Sequence, residues 1–411
     1  MQQDRVGMRQ DISHSMSRAL VLTSIKSLRF YSTQLQSLAM SAQPISIIGA
    51  GIGGLTLGRA LLKHGIPAVL YDRKPSTPRY SYGITLHPYS YRPLLDILDM
   101  DESTFRRTVA VDGPVGGNGK INPKSVIRSE DISTSSFRAH RERLEHLLRE
   151  GLDVRWNQEL EEIQESSAGM VLRMRTGEKI NSDCIVGVDG PHSSVRKSLS
   201  PNTLLKTLPV VAFNGKRRVT RAVFDKIYAP FMQSSNLVEM KREGIVLQVQ
   251  VSDQQDHMVS VGWVYSRPAQ GQTDALHKPN RPLSGATDIP EEFFQEITAL
   301  HDLEQPFKEV FDVEKLKEER ILHWLMRTVL MSMQELTQFA KKGIFFIGDA
   351  VHAQPIIGGQ GANAAIKDGV ELANCIARSG SVGLSDFYSA QYPSWKHGVE
   401  DSENIIVEIH R

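Results

Sequence analysis

The sequence predicts an α/β fold: a doubly wound parallel sheet interleaved with a second domain built on a β-sheet. Three observations lead there. Ile45-Ser46-Ile47-Ile48 is a short apolar run entering a glycine loop, and Gly343-Ile344-Phe345-Phe346-Ile347 is another entering a second such loop. Between them, residues 209–265 carry strand-like patterns, with strands expected at 209–213, 245–251 and 257–265. A length of 411 residues is too great for one simple core and suits two intimately packed domains.

Composition removes several function classes. Lys and Arg number 48 against 47 acidic residues, so the net charge of +1 offers nothing to drive nucleic-acid binding. The two cysteines, Cys184 and Cys375, exclude a disulfide framework and a cysteine-rich zinc site, and a reducing compartment is expected. No apolar run reaches the ~18 residues of a membrane span. There is no H-E-x-x-H, no histidine cluster and no nucleophile elbow, so metal and hydrolase chemistry find little support.

Residues 1–43 differ from the rest. No Asp or Glu occurs between Asp11 and Asp72, and the stretch from Ser13 to Ser41 is Ser-rich with Arg18, Lys26 and Arg29. Val21, Ile25 and Leu28 stand at helical spacing. This leader reads either as a mitochondrial transit peptide or as an idle extension ahead of Met40. The expected compartment is mitochondrial in the first case and cytoplasmic in the second.

The first strand runs into Gly49-Ala50-Gly51-Ile52-Gly53-Gly54, then a helix to Gly65, then the strand Ala68-Val69-Leu70-Tyr71 ending in Asp72. This strand, G-x-G-x-x-G, helix, strand and acid make a Rossmann-like dinucleotide site. Gly49 permits the tight turn. Gly51 lets a pyrophosphate approach the backbone. Gly54 lets the helix pack close to the strand, and Asp72 is placed for a ribose. The helix N-terminus offers free N–H groups to phosphate.

The second strand ends in Gly348-Asp349-Ala350-Val351-His352, followed by Pro355 and Gly358-Gly359-Gln360-Gly361-Ala362-Asn363 and a helix over 364–378. An Asp at a strand end can hold a ribityl hydroxyl. A helix N-terminus can stabilise charge on a reduced flavin ring.

Residues 348–368 resemble the G-D-A-x-H…G-Q-G-x-N-x-x-x-x-D signature of the FAD-dependent aromatic hydroxylases, the single-component flavoprotein monooxygenases. Three further segments are similar to motifs of that family, in its order. They are Asp189-Gly190 running on to Ser194-Val195-Arg196, His140-Arg141-Glu142-Arg143-Leu144, and Gly83-Ile84-Thr85-Leu86. The resemblance spans residues 45 to about 395. It implies a fold of the para-hydroxybenzoate hydroxylase type, with FAD domain segments 44–208 and 321–411 and a substrate domain at 209–320.

It also implies roles. Gly49, Gly51 and Gly54 would cradle the FAD pyrophosphate. Asp72, where the family usually has Glu, would take the ribose, with Arg73 beside it. Gly83 and Arg141 would adjoin the cofactor, and Asp349 would take its ribityl or pyrophosphate side. Gly361, Ala362 and Asn363 would present backbone N–H groups to the flavin. Asp189 would hold the loops around FAD. The implied cofactors are non-covalent FAD and transient NADPH or NADH. The partners are O2 and a small organic substrate, hydroxylated or epoxidised through a flavin C4a-hydroperoxide, as in secondary-metabolism enzymes. A reductase or dehydrogenase on the same fold and a non-catalytic flavin-binding regulator are the alternatives. One departure concerns the Pro expected four residues after the His of G-D-A-x-H. That position is Ile356, and Pro355 comes one earlier.

In the remaining chain, Trp263 and Tyr265 either line a substrate pocket or pack beneath a helix, the commoner use. Arg217 and Arg218 either anchor an acidic or phenolate substrate or form a solvated edge, the commoner use. Residues 291–311 read as helix, Lys315–Arg320 as a solvated charge run, and 386–407 as a closing helix. His352 reads as structural. No catalytic side chain is assigned.

Overall fold

The computed structural model describes residues 43–77, 82–128, 132–166, 169–358, 360–379 and 384–411. The leader 1–42 and Gly359 lie outside the described residues, and with them the targeting expectation.

The first sheet is parallel, in the order β15-β9-β1-β2-β5. Its strands are β1 (Ile45–Ile48), β2 (Ala68–Asp72), β5 (Asp153–Trp156), β9 (Ile185–Gly187) and β15 (Ile344–Phe346). Strands β1, β9 and β15 are buried throughout, as continuous apolar runs between helical layers must be. Helix α1 (Ile52–Lys63) and helix α6 (Gly361–Ser379) lie against each other. Gly369 makes that contact close: a Cβ there would stand 3.0 Å from the Gly53 carbonyl oxygen and from the Leu57 nitrogen. Helix α2 (Pro88–Leu98), the β3–β4 pair (Gly83–Leu86 and Phe137–His140) and helix α3 (Arg141–Arg149) complete the layer over the site. A small sheet of β6, β7 and β8 (Leu160–Ser166, Gly169–Met174, Lys179–Ser182) leads into β9, and the short helix α4 (Ser194–Leu199) follows it.

The second sheet is antiparallel, in the order β11-β12-β13-β10-β14. Strand β10 (Lys206–Thr220) is far longer than the 209–213 expected, and carries Arg217 and Arg218 at its end. Strand β11 (Leu237–Arg242) was not expected. It turns into β12 (Ile245–Gln254) through Glu243-Gly244, both at positive φ, a two-residue hairpin turn. Strand β13 (Met258–Pro268) matches its expected place. Strand β14 (Leu322–Thr328) pairs with β10, so residues assigned to the FAD segment belong to this sheet.

The expected helix over 291–311 is broken. Helix α5 (Glu291–Thr298) ends, Asp302 takes a left-handed φ of 57°, and Pro306 precedes a second short helix at Phe307–Val310. Proline cannot continue a helix from the preceding turn. The charge run is not wholly solvated either: Leu316 is fully buried and Glu319 is paired. Helix α7 (Leu384–Ile409) closes the described chain. No described helix is long and apolar enough to cross a membrane.

Candidate active site

A cavity of about 720 Å³ runs from the first glycine loop to the antiparallel sheet. Of the residues expected at the cofactor, Gly49, Gly51, Asp72, Arg73, Gly83, Arg141, Asp349, Gly361 and Ala362 line it. Gly54 and Asn363 do not, and each has a different use.

The loop after β1 is shaped by its glycines. Gly49 has a φ of 114°, and a Cβ on it would stand 2.4 Å from the Val188 carbonyl oxygen. A Cβ on Gly54 would stand 2.0 Å from the Gly49 carbonyl oxygen, so Gly54 braces the turn from behind. Gly51 has nothing within 4 Å of its Cβ direction, which leaves its backbone open beside the cavity. That is the cradle a pyrophosphate needs. Asp72 accepts from the backbone N–H groups of Ala50 and Lys74, each at 2.9 Å. These bonds fix its carboxylate at the edge of the cavity, where a ribose is expected.

The second loop is fixed by Asp368, the last Asp of the signature. It accepts from the Gly348 N–H at 2.8 Å and the Trp395 indole at 2.8 Å, and contacts His352 Nε2 at 2.6 Å. His352 is buried and stacked on Trp395, so its role is structural as expected. Asp349 has no hydrogen bond to its carboxylate among the described residues, and burial pushes its pKa up. A half-buried acceptor facing the cavity fits a sugar hydroxyl donor. Gly361 and Ala362 open helix α6 next to it, and the ideal Cβ of Gly361 falls 3.4 Å from Asp349 Oδ1. Asn363 is a strap. Its carbonyl oxygen accepts from the His87 N–H and the Ser90 hydroxyl, and its amide donates to the Thr85 carbonyl at 2.9 Å. Arg141 donates to the Tyr82 hydroxyl at 2.8 Å and pairs with Glu145 at 2.9 Å, which aims it along the cavity wall. Asp189 accepts from the Ser194 N–H at the start of α4 at 2.5 Å, while its other oxygen is buried without a partner among the described residues. Together, the open Gly51, the unpaired Asp349 and the helix start at Gly361 fit the pyrophosphate, ribityl and ring portions of FAD.

The far wall belongs to the antiparallel sheet and was not read from the sequence. Leu237, Val246 and Val264 make it apolar, with Glu239, Gln248, Gln250 and Arg138 set among them. Ile405 and Ile409 of α7 close one side, held by a His410–Ser266 contact of 3.0 Å. Arg281, Arg327 and His192 line the cavity as well, with His192 Nε2 3.3 Å from Arg327. Pro355, Ile356 and Ile357 line it beside the second loop.

The aromatic pair is elsewhere. Trp263 and Tyr265 point to the opposite face of β13 and pack on Phe293 of α5 at 6.3 and 5.6 Å, so packing beneath a helix is their role. Arg217 is neither a substrate anchor nor a solvated edge. It pairs with Glu319 and donates to the Glu309 and Val310 carbonyls, and Glu319 also takes the Trp263 indole N–H at 2.9 Å. Arg218 is exposed and does not line the cavity.

Residues 42–391 match the family described as "FAD binding domain". The chain is similar to "FAD-dependent monooxygenase nscC" of Trichophyton rubrum, with 30% identity over 90% of this chain and 95% of that one. It is also similar to "FAD-dependent monooxygenase vrtH" of Penicillium aethiopicum, at 28% identity over 91% and 94%. Its fold is shared with 2,6-dihydroxypyridine-3-hydroxylase from Arthrobacter nicotinovorans, at TM-score 0.67 and 15% identity over 90% and 93% of the two chains. The same holds for CtdE, solved with FAD and a substrate, at TM-score 0.67 and 16% identity over 89% of each. A family match across most of the length, on a loop geometry that leaves room for the cofactor, makes this chain a member of the FAD-binding, aromatic hydroxylase-like flavoprotein monooxygenases.

Proposed function

We propose that the chain hydroxylates or epoxidises a small organic substrate held between the flavin site and the antiparallel sheet. The observation that carries this is a single cavity with two kinds of wall. One end is backbone and glycine, suited to a dinucleotide. The other is apolar side chains with a few polar groups, suited to an organic molecule. A cofactor-only site would need no second wall.

The chemistry that bound FAD supplies there is acceptance of hydride from NAD(P)H and activation of O2. The chain's residues position and enclose. Gly49 and Gly51 hold the pyrophosphate, Asp72 and Arg73 the adenosine side, and Asp349 the ribityl chain. The first N–H groups of α6 at Gly361 and Ala362 would stabilise negative charge on a bound ring. Leu237, Val246, Val264, Ile405 and Ile409 exclude water from the reacting face. Arg281, Arg327 and His192 lie along the cavity without a carboxylate partner among the described residues, and suit the anionic diphosphate of a visiting nicotinamide nucleotide.

The test is anaerobic reduction with NADPH or NADH, then rapid mixing with 18O2 and a panel of hydroxyarenes and alkenes. Label in an organic product is expected. Reduced flavin that ignores O2 would favour the reductase reading instead.

A further inference from the structure

We infer that Arg138 is the specificity-determining residue of the substrate wall. With Gln250 it receives an acidic oxygen of the substrate, an enolate or a phenolate, while Glu239 faces a neighbouring hydroxyl. The inference rests on reading this cavity as a substrate site.

Arg138 sits on β4, lines the cavity and is only 5% exposed. It donates to the Gly83 carbonyl, to Gln250 Oε1 and, at 2.9 Å, to the Thr85 hydroxyl. All three acceptors are neutral. No carboxylate among the described residues stands within ion-pair distance, and its Nε is buried with no partner. Burial draws its pKa down to about 10, so it is still charged near neutrality. An interior cation held by neutral dipoles alone is costly, and an entering anion offsets that cost. Two other enclosed arginines are ion-paired, Arg217 with Glu319 and Arg267 with Asp274 and Glu296, while buried Arg196, which donates to the Ala350 and Pro191 carbonyls, does not line the cavity. Arg138 has no such pair, and it stands in the cavity.

The guanidinium is also held still. A Cβ on Gly83 would lie 2.8 Å from one of its terminal nitrogens, so that group rests directly on the glycine backbone. This gives Gly83 a second reason to be glycine. Glu239 is the acid nearest in effect, beyond pairing distance. It accepts from Gln248 Nε2 at 2.6 Å and from the Ile127 N–H at 2.9 Å, and burial raises its pKa. Glu239 and Gln248 sit opposite each other in the β11–β12 register, and Gln250 follows two residues on, on the same face. A cationic donor and a carboxylate thus line the same cavity wall, among Leu237, Val246 and Val264. Such a pair fixes the in-plane orientation of a flat ligand carrying two oxygens on one edge.

The test uses the FAD-loaded protein with 1,2-dihydroxyanthraquinone and 1,2-dimethoxyanthraquinone as probes, by calorimetry and by the colour change of the hydroxyl on ionisation. The wild type should prefer the dihydroxy probe and ionise it at a lower pH than in free solution. Arg138→Met should weaken that probe about 10- to 100-fold, remove the ionisation shift and leave the dimethoxy probe unaffected. Arg138→Lys should restore part of the shift. Glu239→Gln keeps the shape and removes a nearby negative charge, so it should move ionisation to still lower pH. That measurement stands if Arg138→Met fails to fold. Equal affinity of the wild type for both probes would overturn the inference. So would equal weakening of both by Arg138→Met, an unmoved ionisation in Glu239→Gln, or loss of FAD from a folded Arg138→Met protein. None of these readings needs NAD(P)H or O2, so a failure to oxygenate leaves them intact, and their failure leaves oxygenation intact.

Discussion

The two ends of the cavity are built by opposite means. At the cofactor end, glycine loops expose backbone beside a few fixed side chains, and Gly49 and Gly54 stand where nothing larger fits. At the sheet end, the surface is side chains projected from strands whose neighbours are remote in sequence. The first kind of wall tolerates almost no substitution and is shared by many proteins. The second can be rewritten position by position, and so is where a substrate is chosen.

Substitutions at each end sharpen that contrast. The largest effect belongs to Gly54→Val, which drives a side chain into the Gly49 carbonyl. It should cost more than ~4 kcal/mol and abolish FAD binding, seen as a colourless protein with a lowered melting temperature. Gly51→Ala, three residues away, meets no atom within 4 Å. It should keep the melting temperature of the apoprotein and still lose FAD, because its methyl group occupies the pyrophosphate's approach. If Gly51→Ala retains full FAD affinity, the loop is not the cradle.

Next is the far side of the antiparallel sheet. Arg217→Met leaves Glu319 buried without its cation and should destabilise the chain by about 3–5 kcal/mol in denaturant titration. FAD content at low denaturant should be unchanged, since Arg217 does not line the cavity. Loss of FAD in parallel with that loss of stability would show that the two ends are mechanically one.

Asp349→Ala should be milder. FAD affinity should fall about 10- to 100-fold in a fluorescence titration, with the fold kept, because a charged acceptor is lost but its backbone is not. Unchanged affinity would remove Asp349 from the site.

The smallest effect is one of pH. Burial lowers the pKa of His87, His140 and His323 to about 4 each. The unfolded chain, with ordinary histidines near 6.5, therefore binds protons first. Stability is intact above about pH 6.5 and falls as pH drops toward about 4, by on the order of 1–3 kcal/mol per histidine. His323 carries two buried nitrogens with no partner among the described residues and stacks on Phe213. His323→Phe should keep the stacking and make the acid slope shallower. A slope unchanged in that variant would assign the acid sensitivity to the other two.

The same contrast explains what could be read from the chain itself. Gly49, Gly51, Asp72, Asp349 and Gly361 announce themselves because a tight turn and a helix start impose residue types at fixed spacing. Arg138, Gln250 and Glu239 meet through the pairing of strands far apart in sequence, and no spacing encodes that. Arg138 did leave a trace, a charged residue inside the buried strand Phe137–His140. On β13, residues 259–267 are all buried, so alternation could not say that Trp263 faces a helix while Val264 faces the cavity. The missed strand β11 had its own signal in Glu243-Gly244, the kind of dipeptide that turns a hairpin. Asn363 was assigned by position in a motif, and only its side-chain partners show that it ties the second loop to β3 and α2.

The order of the parallel sheet also bears on how the protein is made. Strand β9 ends at Gly187, yet its outer neighbour β15 begins at Ile344. The antiparallel hairpins of β10 to β13 lie wholly between them. During synthesis those hairpins can pair as they emerge, while β9 waits with one edge open. An open apolar edge is a template for another chain. Closing so long a loop is slow compared with hairpin formation. Aggregation during expression should therefore originate at the β9 edge, and chaperone demand should end only when β15 docks.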